Sequence, residues 1–144
     1  MKSNVTLPTY YQQFIHKSRY ARWIDEEGRR EEWSETVSRY VDFMANHLKL
    51  KYNYSVDTEI MENIKQAILH QEVMPSMRAM MTAGKALDRD NTAGYNCSYL
   101  PVDDPKAFDE AMYILMCGTG VGVSVERNFI SKLPEVPAKM FDTE

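Results

Sequence analysis

Cys97 is the residue of this chain whose type and surroundings most clearly suggest chemistry. It is flanked by Asn96 and Ser98, and tyrosines stand one position further out, at Tyr95 and Tyr99. The segment is predicted to be a strand, and an accessible thiol on a strand is a candidate catalytic group. A cysteine in a strand is nevertheless more often a small buried hydrophobe. The elements that follow Cys97 are therefore needed to distinguish a catalytic role of this residue from a packing role.

The residues after Cys97 predict a turn, a helix and a second strand. Asp103 or Asp104 can cap the helix, and Pro105 suits its first position, where a missing N–H costs nothing. Gly118 can end the helix in the left-handed conformation. Apolar residues recur at helical spacing in between and alternate beyond Gly118; they are Phe108, Ala111, Met112, Leu115, Val121, Val123 and Val125. This order places a cysteine on a sheet beside an exposed backbone turn, which is typical of an active-site wall.

The glycine-rich turn Gly118–Gly122 invites comparison with nucleotide-binding loops. A dinucleotide fingerprint needs a strand before its glycines and a helix after them, and here the order is reversed. The dinucleotide interpretation therefore fails. A helix cap explains Gly118, which leaves Gly120 and Gly122 as positions where the backbone could approach another group closely.

Taken together, these segments resemble the ribonucleotide reductases, and most closely the monomeric, adenosylcobalamin-dependent (class II) ribonucleoside-triphosphate reductases. The matching segments are MPSMRAMMTAG, RDNTAGYNCSYLPVDDP and GTGVGVSVER, which begin at Met74, Arg89 and Gly118. A weaker match, RYARWIDEEGRREEW, begins at Arg19. The cysteine segment followed at this distance by the glycine turn is specific, whereas neither part is specific alone. The resemblance covers most of the chain from about Arg19 onward.

The resemblance implies an α+β, mostly helical fold. A helical subdomain over residues 1–74 would precede the first elements of the ten-stranded α/β barrel of ribonucleotide reductases, truncated, over residues 75–144. The residues themselves predict three helices in the first part. One runs from Thr9 to about Ile24, the next begins near Trp33 with a strongly amphipathic face, and Asp57 caps the third. The charged run 25–32 is predicted to be a solvated turn.

The resemblance also implies roles for individual residues. Cys97 corresponds to one of two cysteines that reduce the substrate and become a disulfide, and the second would lie on a strand far downstream. Cys117 matches neither position and is predicted to pack in the core. The expected substrate-binding residues are Ser76, Arg78, Asn96, Ser98, Gly120 and Gly122, with Arg78 suited to a phosphate. Asp104 is expected either to hold an effector nucleotide's sugar or to cap the helix, and the two roles are compatible. No metal site is expected, because His16, His47 and His70 show no ligand spacing.

The cofactor and partners likewise follow from the resemblance alone. Adenosylcobalamin would generate a cysteine thiyl radical in the complete enzyme, which would act on a ribonucleoside triphosphate under control of a deoxynucleotide effector. A thioredoxin-type reductant would restore the thiols. The radical cysteine, the cobalamin site and the C-terminal shuttle cysteines match nothing in these 144 residues. We therefore expect the chain to be inactive alone and to need a complementing C-terminal reductase chain.

Composition excludes several other classes of function. The net charge of −4 argues against a nucleic-acid-binding surface, which needs clustered basic residues. No apolar run approaches the roughly 20 residues that span a membrane. The N-terminus lacks the apolar core of a secretory signal. Two cysteines without metal-ligand spacing are typical of a reducing compartment, so we expect a soluble, cytoplasmic protein.

Two alternatives remain open at this point. The chain could be a non-catalytic remnant or interaction module retained for its helical surface. It could also belong to a class I or anaerobic relative, which cobalamin dependence of the reassembled enzyme would exclude. The neighbouring reading frame separates the first alternative from a split enzyme, because only the split enzyme requires the rest of the barrel there.

Overall fold

The computed structural model describes residues 6–136, which divide into two compact units on either side of the Tyr95–Asn96 bond. The first unit is helical with one small hairpin, and the second is a β-α-β unit followed by a short helix. In chain order the elements are α1 (Tyr10–Ile15), a π-helical segment (His16–Tyr20), β1 (Trp23–Ile24), β2 (Arg29–Arg30), α2 (Trp33–Tyr52), α3 (Thr58–Leu69), α4 (Met77–Thr82), α5 (Lys85–Arg89), a 3-10 turn (Asn91–Gly94), β3 (Cys97–Pro101), α6 (Ala107–Met116), β4 (Gly120–Ser124) and α7 (Arg127–Ile130).

The core of the first unit forms where α2 packs against α3. The amphipathic face predicted for α2 is confirmed, because its apolar residues at helical spacing enter this core. A capping box between Glu32 and Glu35 starts α2, and Asn53 ends it in the left-handed conformation. The buried residues of the main cluster are Leu7, Trp33, Val37, Val41, Ile68, Leu69 and Met80.

The helix predicted from Asp57 is also confirmed. Asp57 accepts a hydrogen bond from the backbone N–H of Glu59 at 2.7 Å and so caps α3. Three isoleucines recur at helical spacing along α3, but only Ile68 is buried; Ile60 and Ile64 are exposed. The core therefore covers only the C-terminal part of this apolar face.

The first predicted helix ends earlier than expected. Thr9 caps α1 as a capping box with Gln12, but regular helix stops at Ile15, and the π-helical segment stops at Tyr20. Residues near the predicted end at Ile24 instead form β1, which pairs antiparallel with β2. Gly28 supplies the positive φ of 61° in the intervening turn, a conformation that favours glycine. The hairpin competes successfully with the helix because this turn allows the chain to reverse.

A buried polar cluster joins the hairpin to α2 and α4. The Glu31 carboxylate accepts hydrogen bonds from Arg39 at 2.7 and 3.0 Å and from the Thr36 hydroxyl at 2.9 Å. Arg39 also donates to the carbonyl oxygens of Met80 and Ala83, each at 2.9 Å. The prediction that residues 25–32 form a solvated turn is thus wrong at Glu31, which is buried because its charge is paired.

The second unit contains the predicted strand–helix–strand order. Strands β3 and β4 pair in parallel, and α6 makes the crossover between them. Gly118, at φ 87°, closes α6: its N–H bonds to the carbonyl of Leu115 and that of Thr119 to the carbonyl of Ile114. This is a Schellman motif, which confirms the predicted helix end.

The start of α6 differs from the prediction by two residues. Asp104 accepts a hydrogen bond from the N–H of Lys106 at 2.8 Å, and its carbonyl accepts one from Ala107 at 2.9 Å. These bonds close a tight turn that holds Pro105 ahead of the helix. The first helical residue is therefore Ala107 instead of Pro105.

The predicted boundary between a helical subdomain and a barrel, at residues 74 and 75, stays a prediction. The two units are defined by how compact each is, and compactness does not show where the domains of a family begin or end. Among residues 6–136, no helix has the length and apolar character that a bilayer crossing requires.

Candidate functional site

Cys97 lies on one face of the β3–β4 pair together with Tyr99. In the parallel register Cys97 is opposite Gly120 and Tyr99 is opposite Gly122. Side chains alternate between faces along a strand, so these four residues share a face and Ser98 belongs to the other. Cys97, Tyr99 and both glycines are exposed. The prediction that Cys97 is on a strand is confirmed, and its thiol is accessible.

The two glycines leave the backbone of β4 uncovered beside the thiol. A Cβ atom built on Gly120 would lie 3.4 Å from the Asn96 carbonyl oxygen and 4.0 Å from the Cys97 sulfur. One built on Gly122 would lie 3.6 Å from the Ser98 carbonyl oxygen. These are ordinary contact distances, so a small side chain fits, whereas a long one would cover the thiol. The glycines therefore keep a shallow, backbone-floored surface open next to Cys97.

The two polar neighbours of Cys97 differ in whether their side chains could contact a bound molecule. The Asn96 side-chain amide donates to the Cys97 sulfur at 3.5 Å, which places an amide beside the thiol. The Ser98 hydroxyl donates to the Gly120 carbonyl oxygen at 3.0 Å and thereby ties β3 to β4. Asn96 is thus located where it could contact a bound molecule, and Ser98 has a structural partner. The substrate-binding roles of both residues stay predictions.

Asp104 does not have the second of its two expected roles, because the N-cap residue of α6 is Lys106 and no side chain caps the helix. Its carboxylate and carbonyl hold the turn before α6, as described above. The adjacent Asp103 forms an exposed ion pair with Lys132 at 3.2 Å. Contact of Asp104 with an effector nucleotide stays a prediction.

Ser76 and Arg78 belong to the first unit, at the beginning of α4. Ser76 occupies the N-cap position of α4, but its side chain makes no capping hydrogen bond. The Nε atom of Arg78 is buried and has no hydrogen-bond partner among residues 6–136. A buried N–H without an acceptor is costly, so this atom is the one expected to gain from a bound oxygen ligand.

The rest of α4 is held firmly. Arg39 donates to the carbonyl of Met80, and Arg22 donates to that of Met81 at 2.7 Å. The Thr82 hydroxyl donates to the carbonyl of Arg78 at 2.6 Å. The polar cluster around Glu31 thus positions the segment that carries Ser76 and Arg78. Sequence reasoning missed this supporting role; the only available signal was the conjunction of Glu31, Thr36 and Arg39 at the start of an amphipathic helix.

The remaining candidate groups offer no second reactive centre. Cys117 is half-buried at the C-cap of α6, and the chain's two cysteines are both free thiols. Among the described residues no cluster of three or more His, Cys, Asp or Glu side chains could hold a metal ion.

Part of the chain matches a known protein family. The ribonucleotide reductase alpha domain matches residues 2–87, which is more than half of the chain.

Individual relatives agree with this match. The chain is 28% identical over 151 residues to the adenosylcobalamin-dependent ribonucleoside-triphosphate reductase of Lactobacillus delbrueckii subsp. bulgaricus, covering 84% of this chain and 20% of that protein. It is 29% identical over 157 residues to the protein of the same name from Lacticaseibacillus paracasei, covering 87% and 20%. The chain thus spans about a fifth of the length of the curated relatives it matches.

A solved structure shows the same relationship in three dimensions. The crystal structure of a B12-dependent (class II) ribonucleotide reductase superimposes with a TM-score of 0.70 at 27% sequence identity. The superposition covers 86% of this chain and 21% of that one. The resemblance drawn from the sequence segments, and the mostly helical α+β fold class, are confirmed.

Proposed function

Because the chain belongs to the ribonucleotide reductase alpha-domain family, we propose that it is the N-terminal part of an adenosylcobalamin-dependent ribonucleoside-triphosphate reductase. The single observation that carries this proposal is the accessible Cys97 thiol on a strand whose opposing residue is Gly120. The matched relatives, which are named for that activity, support it.

The proposed role of Cys97 is to supply half of the reducing equivalents. In the net reaction the C2′–O bond of the ribose breaks and the hydroxyl leaves as water. Two thiols give up their hydrogen atoms and join as a disulfide, so the substrate gains the two electrons that the cysteines lose. Cys97 would be one of these thiols, and a cysteine outside the 144 residues would be the other. A thioredoxin-type protein would then reduce the disulfide.

The surroundings of Cys97 suit this role. Gly120 and Gly122 would let a ribose lie flat against the β4 backbone, because neither carries a side chain. The Asn96 amide, which already donates to the Cys97 sulfur, could donate to a substrate hydroxyl instead. In the first unit, and independently of these surroundings, Arg78 would bind a phosphate oxygen through its unpaired Nε, and Ser76 would add a hydroxyl. Asp104 would accept a hydrogen bond from the sugar of a deoxynucleotide effector.

Adenosylcobalamin would supply the radical that starts the reaction. The described residues do not fit this cofactor. Cavities of about 340 and 440 Å³ lie in the first unit, within the range that holds drug-sized ligands, and a corrin ring with its nucleotide tail is larger. We therefore propose that a complementing C-terminal reductase chain provides the binding site of the cofactor.

Reconstitution tests the proposed function. The 144-residue chain would be combined with the remainder of a matched relative, cut where its similarity to this chain ends, and supplied with adenosylcobalamin, a ribonucleoside triphosphate and a thiol reductant. We expect deoxyribonucleoside triphosphate only when both chains and the cofactor are present. Turnover by the 144-residue chain alone, or none after verified assembly of the two chains, would overturn the proposal.

A further inference from the structure

Tyr99 is a second exposed side chain on the face of β3 that carries Cys97, and the proposed reaction gives it no part. It follows Cys97 by two residues on the strand, so their Cα atoms are about 7 Å apart, and 64% of Tyr99 is exposed. In the parallel register Tyr99 is opposite Gly122, as Cys97 is opposite Gly120. The open backbone surface beside the thiol therefore continues alongside the tyrosine.

The pairing of Tyr99 with a glycine has a common structural explanation, which does not apply here. An aromatic ring opposite a glycine can fold across it and shield the backbone at that point. No atom of Tyr99, however, lies within 4 Å of the position that a Cβ atom of Gly122 would occupy. The ring therefore leaves the backbone at Gly122 uncovered. Glycine inside a strand also marks places where a ligand approaches the backbone closely.

The surface formed by the two glycines and the Tyr99 ring suits a flat ring. Gly120 and Gly122 provide a floor without side chains, and the tyrosine provides an aromatic surface beside it. Aromatic rings attract each other in offset-stacked and edge-to-face arrangements, so a second ring would gain more here than apolar contact alone. Nucleobases stack on aromatic side chains whatever their identity, because every base has a π face. A nucleobase is therefore a suitable ligand for this surface.

The proposed role of Cys97 determines which part of a nucleotide would reach Tyr99. Cys97 would act at C2′ of the ribose, which is bonded to C1′, the carbon that carries the base, and to C3′, which carries a hydroxyl. Because the C2′ hydroxyl leaves, the hydroxyl available to the Asn96 amide is the one on C3′. Asn96 precedes Cys97 along the chain and Tyr99 follows it. With C3′ towards Asn96, the base lies on the other side of the thiol, towards Tyr99.

We propose that the Tyr99 ring stacks against the base of the ribonucleoside triphosphate and so holds its ribose at the Cys97 thiol. This role rests on the proposed function and extends it to the binding of the base. The contact takes no part in bond breaking, so it is equally strong in the ground state and the transition state and lowers KM without changing kcat. Purines offer the ring a larger area than pyrimidines and would depend on it more.

Three variants separate the aromatic ring of Tyr99 from its other properties. Tyr99→Thr removes the ring and keeps a residue that is well suited to a strand. Tyr99→Phe removes only the hydroxyl and keeps the ring. Tyr95→Thr is the matched control, because Tyr95 also stands two residues from Cys97 and is 67% exposed, but lies outside β3.

The first measurement uses the full 144-residue chain and needs no reductase activity. Cys97 would be alkylated with iodoacetanilide or with iodoacetamide, and the rates read by peptide mass spectrometry. In both reactions the thiolate sulfur displaces iodide, but only iodoacetanilide carries a flat ring. We expect the ratio of the two rates at Cys97 to fall about two- to tenfold in Tyr99→Thr, the worth of one aromatic contact, and to stay unchanged in Tyr99→Phe and Tyr95→Thr. An equal ratio in all the proteins would overturn the proposal.

The second measurement identifies the ring as the substrate's base. In the reconstituted two-chain enzyme, with the deoxynucleotide effector saturating, Tyr99→Thr should raise KM for every ribonucleoside triphosphate by about fivefold or more, and most for purines. The kcat of Tyr99→Thr, and the KM of Tyr99→Phe and Tyr95→Thr, should stay unchanged. An unchanged KM in Tyr99→Thr, with the unmodified enzyme active, would overturn the role of Tyr99 and leave the proposed function intact. No turnover by the unmodified two-chain enzyme would refute the proposed function, and the role of Tyr99 with it.

Discussion

At the scale of single residues, the open face beside Cys97 depends on glycine at position 120. The sequence indicated that the backbone at Gly120 and Gly122 could approach another group closely. It could not identify what they approach, because that depends on the strand register. The parallel pairing of Cys97 with Gly120 supplies this information. A one-residue shift of register would have placed Val121 opposite the thiol and buried it beneath a branched side chain.

Replacing Gly120 by leucine should therefore protect the Cys97 thiol. The added side chain begins 4.0 Å from the sulfur and extends over the same face, so alkylation of Cys97 by iodoacetamide should slow several-fold. The measurement is the rate of carbamidomethylation at Cys97, read by peptide mass spectrometry. Val121→Leu is the control, because Val121 is opposite Ser98 on the other face. Unchanged Cys97 reactivity in Gly120→Leu would contradict the assigned geometry.

A second prediction at this scale concerns the buried ion pair of Glu31 and Arg39. Removing the guanidinium in Arg39→Met leaves the Glu31 carboxylate buried without its main partner, which should cost about 3 kcal/mol in the free energy of unfolding. The control is Arg29→Met, which breaks the more exposed contacts of Arg29 with Glu27 and Glu35 and should change stability little. Urea denaturation measures both. Equal losses of unfolding free energy in the two variants would contradict the prediction that the buried pair contributes more than the exposed contacts of Arg29.

At the scale of elements, capping residues predicted the ends of helices most dependably. Asp57 and Gly118 act as the caps that their residue types predict, because each bond involves residues close in sequence. The early end of the first helix was not predictable in this way. There the hairpin forms instead of the helix because the hairpin and the polar cluster make contacts to α2 and α4. Contacts between residues so far apart in the sequence leave no local pattern.

The polar cluster of the first unit predicts how stability depends on pH. Burial lowers the pKa of His16, and Lys17 acts in the same direction. Burial alone would raise the pKa of the Glu31 carboxyl, but hydrogen bonds from Arg39 and from the Arg22 backbone N–H lower it overall. For both groups the unfolded chain binds protons more readily than the folded chain, so acidification favours unfolding.

His16 and Glu31 lose their contributions to stability in different pH ranges. The His16 contribution is complete above its ordinary pKa of 6.5 and is lost as the pH falls towards its lower folded value. The Glu31 contribution is complete above 4.5 and is lost in a second, more acidic window. Urea midpoints measured from neutral to acidic pH should therefore decrease in two stages, and His16→Gln should remove the first. A midpoint that rises on acidification through pH 6.5 would contradict this account.

At the scale of the whole molecule, the second unit presents much uncovered apolar surface. Large exposed side chains occur along α6 and around β4; they are Phe108, Met112, Tyr113, Leu115, Met116, Val123 and Val125. A sheet of two strands also leaves unpaired backbone edges among the described residues. Both features promote association with other chains.

We therefore expect the isolated chain to self-associate and a complementing reductase chain to suppress this association. Sedimentation velocity would compare the chain alone with the chain co-expressed with the remainder of a matched relative. Met116→Lys, which adds charge to a residue that is 79% exposed, should reduce self-association without unfolding the chain. A stable, well-folded monomer of the unmodified chain at high concentration would refute the expectation.

The central claim is that Cys97 is one of two reducing thiols, and its most direct test is deoxynucleotide yield in the reconstituted two-chain enzyme. Cys97→Ser changes the size of the side chain little, so nucleotide binding and radical formation should persist. Multiple turnover should stop, because a hydroxyl cannot donate its hydrogen and form a disulfide as a thiol does, and the substrate radical should instead lose its base or inactivate the enzyme. Cys117→Ser, at the half-buried end of α6, should lose only packing, about 0.5–3 kcal/mol of stability, and retain turnover. Normal turnover in Cys97→Ser together with an inactive Cys117→Ser would contradict the account.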